Sequence, residues 1–306
     1  MYTLEEVTKA LKRDRKTLVD NLNTKEVVAS EDETFTSLAA KVLDIKSGGA
    51  DLSEYFHSNV STNPTAYKNV LAQSVKTLPM IDTSGLTSFF QAFYNADIEN
   101  YPLLDTSNVT NFTSAFANNR KIKSLPLFDT SKGTIFQLML NNCVLLEESP
   151  QFDTSNGTDF SSMYMGCGSL KKVPSLNTVK GTNFNYMFEL CTKLEELGML
   201  DMSSAISIRY FLMSSNYLTK VGGFKDVGKA YDASMSANYY TYTLDVYAAQ
   251  YLTHESAMNI INNLYDIATK GCKPQTLRFH ANVMALLSEG EVAIGTNKGW
   301  TITTDS

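Results

Sequence analysis

The stretch FDTSNGTDFSSMYMGCGSLKKV, Phe152 to Val173, decides how this chain is read. Its phrasing returns elsewhere. LDTSNVT opens at Leu104, FDTSKGT at Phe128, and LNTVKGTNFNYMFELCTKLEEL runs from Leu176 to Leu197. Taking the acidic or amide residue as anchor gives Asp82, Asp105, Asp129, Asp153, Asn177, Asp201 and Asp226, with steps of 23, 24, 24, 24, 24 and 25. An active site needs one unique constellation, so a phrase restated this often belongs to a scaffold.

Other columns keep step with the anchor. Five residues on stand Thr87, Thr110, Thr134, Thr158 and Thr182. Seven on stand Phe89, Phe112, Phe136, Phe160 and Phe184, then Ile208. Ten on stand Ala92, Ala115, Met139, Met163 and Met187. Fourteen on stand Cys143, Cys167 and Cys191, with Ala96, Asn119 and Ser215 in the outer copies. Pro79, Pro102, Pro126, Pro150 and Pro174 stand three before the anchor.

Offsets seven, ten, eleven and fourteen share one helical face. The spacing therefore predicts a helix of about two turns in each copy, with the threonine at offset five as N-cap. Such a helix is too short to stand alone. The anchor and its following Thr-Ser read as a turn in which the carboxylate binds backbone N–H groups. Apolar residues at offsets seventeen and twenty suit a short extended segment, ended by the proline column because proline lacks a ladder donor. One copy cannot bury its Phe/Met/Leu face, but stacked copies can. The expected architecture is an α/β repeat, a leucine-rich-repeat-type solenoid of about six 24-residue units over 78–227. Phe112, Phe136, Phe160 and Phe184, Met139, Met163 and Met187, and Cys143, Cys167 and Cys191 would form its internal columns.

This repeat resembles the BspA-like leucine-rich repeat, whose signature runs roughly LDTSNVTNMSxMFxxCxxLxxL. The likeness covers about Leu78 to Asp226. This chain carries phenylalanine at offset seven, where the family often has methionine, and its outer copies lose the cysteine. The resemblance implies surface and interaction proteins, not enzymes.

The flanks differ from the repeat. In residues 1–47, TLEEVTKALKRDRKTLVDNL spaces Leu4, Val7, Leu11, Leu18 and Leu22 helically, and Thr3 with Glu6 forms a capping box. ETFTSLAAKVLDI predicts a second helix, and residues 48–77 read as linker and N-terminal cap. The opening LVDNLNTKEVVASEDETFTSLAAKVLDI looks like the start of tail and fibre-associated proteins of phages infecting Gram-positive bacteria. That likeness implies a segment that docks on the particle; an ordinary helical cap is the alternative. In 228–306, YDASMSANYYTYTLDVYAAQYL is rich in tyrosine and alternates as strands do. Tyr239, Tyr240 and Tyr242 are candidates for stacking on sugar rings or anchoring a protein partner. Tyrosine also simply fits a half-buried strand. THESAMNIINNLYDIATKG predicts a helix capped by Thr253, with Met258, Ile261, Leu264, Tyr265 and Ala268 as its apolar face and Gly271 at its C-terminal end. TLRFH then predicts a strand, ANVMALLSEGEVAIGTNKG one further helix, and WTIT a last strand. This unit resembles the one closing BspA-like repeats in phage structural proteins, and a stack needs such a closure because its last apolar layer is otherwise bare.

Composition limits the rest. The chain has 306 residues, 43% hydrophobic and 19% charged, enough apolar content for a core. A net charge of −6 argues against nucleic acid, whose phosphates need a basic patch. No run reaches the ~20 apolar residues of a membrane span, and no secretory leader is evident. The first three cysteines are spaced by 24 and 24, the repeat step and not a metal clip, so no metal or cofactor is expected. No phosphate loop, HExxH or GxSxG motif occurs.

These readings together imply a non-enzymatic virion structural protein of tail, baseplate or capsid fibre. It would be assembled in the host cytoplasm, released by lysis, and attached to other virion proteins through its N-terminal helices. Bacterial surface carbohydrate or protein would be its ligand, and a homo-oligomer, a trimer by analogy with other fibres, its state. The alternative is a bacterial surface adhesin or protein-interaction scaffold. A glycan-degrading enzyme would need a cleft with paired acids.

Overall fold

The computed structural model describes residues 77–78, 83–231 and 242–304. The helical segment expected over 1–47, most of the linker and cap, and Tyr239 and Tyr240 lie outside the described residues.

Successive copies of the repeat lie parallel, one layer on the next. Three lines of backbone pairing join them. At offset six, parallel bridges run Ser88 to Asn111 to Ile135 to Asp159 to Asn183 to Ser207. At offsets nineteen and twenty, strands β1 (Lys172–Val173), β2 (Glu196–Leu197) and β4 (Lys220–Val221) form a parallel sheet in which Lys172 pairs Glu196 and Glu196 pairs Lys220. Beside the anchor, β3 (Leu200–Asp201) pairs β5 (Phe224–Lys225), and Leu176 bridges Leu200. β1 stops at Val173 because Pro174 has no N–H to give the ladder.

The two-turn helix predicted after offset five is not a helix; it is a chain of turns. In the copy anchored at Asp153, Met163, Met165 and Cys167 donate to the carbonyls of Phe160, Ser162 and Tyr164, three residues back. The alternate N–H groups of Phe160, Ser162, Tyr164 and Gly166 instead donate to Asn183, Asn185, Met187 and Glu189 of the next copy at 2.8–3.0 Å. Ser161 donates to the Asp159 carboxylate. Every N–H from offset seven to fourteen thus has an acceptor, whereas an isolated two-turn helix leaves about four donors and four acceptors bare at its ends. The turns require a left-handed residue at offsets nine and thirteen. Ser114 and Asn118, Leu138 and Asn142, Tyr186 and Leu190, and Tyr210 and Ser214 all have φ between 53° and 64°. A helix would need negative φ there. Nor is the threonine at offset five an N-cap. Its hydroxyl donates to the threonine carbonyl of the preceding copy, as Thr158 does to Thr134 at 3.0 Å.

The turn expected at the anchor is present. Asp105, Asp129, Asp153 and Asp201 each accept, through Oδ1, the N–H two residues on at 3.0–3.1 Å.

The C-terminal unit is a parallel three-stranded sheet in the order β6 (Tyr242–Asp245), β7 (Gln275–Phe279), β8 (Trp300–Thr304). Helix α1 (His254–Asn263) links β6 to β7, and helices α2 (Ala281–Met284) and α3 (Glu289–Asn297) link β7 to β8. Thr253 caps α1 as expected, but the helix stops at Asn263. Leu264 turns extended to bridge Val227, and Gly271 lies further along. The single helix read from Ala281 onward is two, because Ser288 starts α3 with a capping box to Glu291.

Helix α1 closes the stack. β4 has no further copy to pair with, and α1 supplies side chains in place of a strand. Ser256 Oγ accepts the Val221 N–H at 3.0 Å and donates to the Thr219 carbonyl at 3.1 Å. Asn259 Nδ2 donates to the Val221 carbonyl at 3.1 Å. One continuous apolar cluster then runs from Leu78 through the copies to Trp300.

Candidate functional site

The inward columns hold the frame on which any site is displayed. Phe112, Phe136, Phe160 and Phe184 are fully buried and form one interior column, with ring centroids 5.5, 5.5 and 5.4 Å apart. Room for the stack comes from glycine at offset four. A Cβ on Gly133, Gly157 or Gly181 would stand 2.5, 2.3 or 2.5 Å from the Cζ atom of Phe136, Phe160 or Phe184. Where offset four carries Val109 instead, the neighbouring ring of Phe89 stands 6.0 Å away and tipped by 66°. Met139, Met163 and Met187 fill the column beside the rings, also fully buried.

The cysteine column is a column of hydrogen-bond donors. Cys143, Cys167 and Cys191 direct Sγ at the carbonyls of Phe116, Leu140 and Tyr164 in the preceding copies, at 3.1–3.2 Å. In the outer copies Asn119 Nδ2 donates to Phe93 and Ser215 Oγ to Phe188. The outer copies therefore keep the donor while changing the atom. Burial pushes the Cys167 thiol up to about 12 and raises Cys143 and Cys191 likewise, so all three remain protonated donors at neutral pH. A second donor column stands at offset one, where Thr106, Thr130, Thr154 and Thr178 donate to the anchor carbonyl of the next copy at 2.6–2.9 Å.

Of the tyrosines proposed for binding, Tyr242 faces inward. Alternation along β6 buries it with Leu244, its ring packs 4.9 Å from Tyr231, and burial raises its pKa. Its hydroxyl points to the Ala205 carbonyl at 3.4 Å. A ring held this way offers a ligand no face, so the stacking role read for it is corrected to a packing role.

The tyrosine rings that reach the surface are elsewhere. At offset nine, Tyr186 and Tyr210 stand in adjacent layers with centroids 5.3 Å apart and a tilt of 41°. Arg209 lies over the Tyr210 ring at 4.7 Å and donates to its hydroxyl at 3.3 Å. Tyr210 and the neighbouring Leu190 at offset thirteen are exposed. A second pair, Tyr217 and Tyr251, stands 5.9 Å apart where the last copy meets the C-terminal unit, each more than half exposed. In earlier copies offset nine holds Gln91, Ser114, Leu138 and Ser162. That change of residue type was the available sequence signal, and it lies in an outward column rather than an inward one.

Several charged groups on the outside pair with one another along the stack. Glu196 lies between Lys220 at 2.8 Å and Lys172 at 3.2 Å. Its hydrogen bonds to these two lysines lower its pKa. Lys171 pairs Glu147 and Lys225 pairs Asp201. A shallow groove of about 550 Å³ crosses three layers beside Asp153, Asn177 and Asp201 and ends at Lys225. Among the described residues no group of three or more His, Cys, Asp or Glu side chains is placed to hold a metal ion, and no helix is long and apolar enough to cross a membrane.

A family model described as "Mycoplasma protein of unknown function, DUF285" matches residues 50–151, 85–197 and 119–222. The overlapping matches together run from residue 50 to residue 222, more than half of the chain. No curated protein and no solved structure gives a significant match.

Proposed function

The chain belongs to the DUF285 family of BspA-like repeat proteins, and on that premise we propose that it is a non-enzymatic display protein of a phage particle. Its layered copies form a leucine-rich-repeat-type solenoid. Its N-terminal segment fixes it to the tail, baseplate or capsid, and its outward columns bind carbohydrate or protein on a bacterial surface. The observation that carries the reading is the contrast between inside and outside. Stacked rings and donor columns recur from layer to layer within, while the outward tyrosine pairs occur at particular layers without. A frame that spends its recurring residues on stacking leaves the outward ones free to specify a partner. The phage setting draws support from the likeness of the N- and C-terminal segments to phage structural proteins. The expected self-association is through the N-terminal segment, with three copies by analogy.

Sedimentation tests the setting: antibody to the chain should detect it in purified particles from a lysed culture. Binding tests the display: the purified chain should bind intact Gram-positive cells and compete with particle adsorption. Absence from the particles together with a location on the bacterial envelope would favour a bacterial adhesin of the same repeat class.

A further inference from the structure

We infer that Tyr186 is one wall of a site for a single pyranose ring, which seats in the layer where Ser162 leaves the outward column open. The inference rests on the display reading above and names the chemistry of its ligand. Ser162, Tyr186 and Tyr210 occupy successive layers of offset nine, fixed there by backbone bonds from Ser162 to Asn185 and from Tyr186 to Arg209, both 2.8 Å. The interior shows what this layer step does to rings: Phe136, Phe160 and Phe184 stack at 5.4–5.5 Å. Outside, the same step places Tyr210 over one side of Tyr186 at 5.3 Å. On the other side the offset-nine residue of the next layer is Ser162, whose side chain is too short to cover an aromatic ring. In that layer the offset-nine column therefore carries no ring, and the vacancy in the ring sequence adjoins a half-buried tyrosine.

The edge of the vacancy is polar. Among the described residues the Ser162 hydroxyl makes no hydrogen bond, so it can donate to or accept from a ligand hydroxyl. This selects between occupants. The C–H face of a pyranose stacks on tyrosine while its rim hydroxyls meet the serine. An apolar peptide side chain would stack equally well but would leave the serine hydroxyl unmatched. Arg209, stacked on Tyr210, holds the outer wall in place. Tyr186 and Tyr210 keep left-handed backbone, at φ 59° and 54°, where asparagine or glycine is less strained.

Affinity electrophoresis of the full chain, in gels cast with dextran, mannan or rhamnose-rich wall polysaccharide, tests the site. The chain should be retarded by at least one polymer. Tyr186→Ala should weaken that retardation about tenfold, the loss of one stacked ring, and Tyr186→Phe should preserve it. Ser162→Tyr should fill the vacancy with a protein ring and abolish retardation, with a melting temperature at or near that of the parent. Retardation unchanged in both Tyr186→Ala and Ser162→Tyr would overturn the site while leaving display intact. So would binding to a surface protein with no retardation by any polymer. Retardation that follows these variants in a chain that does not bind intact cells would support the site and sink the display reading instead.

Discussion

Replacing Gly157 with alanine tests the packing on which the layers depend. The new Cβ would stand 2.3 Å from Phe160 Cζ, 2.9 Å from Cε1 and 3.0 Å from Phe136 Cε2, against 3.4–4 Å for ordinary contact. The Phe160 ring would have to retreat by more than 1 Å. It has nowhere to go, because Phe136 and Phe184 lie at 5.5 and 5.4 Å on either side. Forcing a methyl group into such a core costs about 1–3 kcal/mol. At roughly 2–4 °C per kcal/mol for a unit of this size, the melting temperature should fall visibly. The copy with Val109 shows the structural response to expect, a wider and tipped ring contact. Thermal and denaturant unfolding of Gly157→Ala, Phe160→Met and the double variant would measure the coupling. A flexible methionine can yield to the added methyl group, so the double variant should be more stable than the summed single effects allow by about 1 kcal/mol or more. Gly290→Ala serves as control, since its Cβ would meet nothing within 4 Å and helix α3 should gain about 0.5–1 kcal/mol. Single effects that add within about 0.5 kcal/mol, or a Gly157→Ala variant as stable as the parent, would refute the glycine-for-ring argument.

Three further outcomes follow from the same frame. Burial holds Cys143, Cys167 and Cys191 protonated in the folded chain, with Cys167 at about 12, while an unfolded cysteine titrates near 8.5. A raised folded pKa gives stability that is complete below the unfolded value and lost as pH climbs above it. Between about pH 8.5 and 10 each thiol should therefore cost up to about 1.4 kcal/mol per pH unit, and denaturant midpoints of a Cys143→Ser, Cys167→Ser, Cys191→Ser triple variant should show a flatter pH slope. Ser256→Ala removes the acceptor of the buried Val221 N–H and should cost about 1–3 kcal/mol, with amide exchange at Val221 speeding up before that of the central layers. Glu196 has a lowered pKa, so its contribution is present above the ordinary carboxylate range and lost as pH falls through its folded value. Glu196→Gln should blunt the acid-side decline in stability and make it less salt-sensitive, read by melts at pH 3 to 6 in low and high salt.

The layer step was legible because identical spacing of Asp, Phe, Cys and Pro is a one-dimensional signal that needs no third dimension. The direction of each inward column was legible for the same reason. Whether the segment after offset five is a helix was not. A helix and this chain of turns both send offsets seven, ten or eleven, and fourteen inward, so the apolar pattern is common to the two. What separates them is where alternate N–H groups find acceptors, and those acceptors sit on the next copy, about 23 residues away. The inward turn of Tyr242 escaped the sequence for a related reason. Composition drew attention to the crowded C-terminal run, where Tyr242 proved to face the core, while Tyr186 and Tyr210 are inconspicuous until their layers are stacked.

By itself the sequence determined the repeat length, the residues that face inward, the turn at the anchors Asp105, Asp129, Asp153 and Asp201, and the end of β1 at Pro174. Each of these follows from covalent geometry or from near neighbours along the chain. Only the tertiary structure decided the turn geometry, the donor role shared by Cys143, Cys167, Cys191, Asn119 and Ser215, the closure of the last layer by Ser256 and Asn259, and the outward tyrosine pair. Each of those depends on an atom in another layer, and the distance between layers is set by packing, which no local stretch of sequence contains.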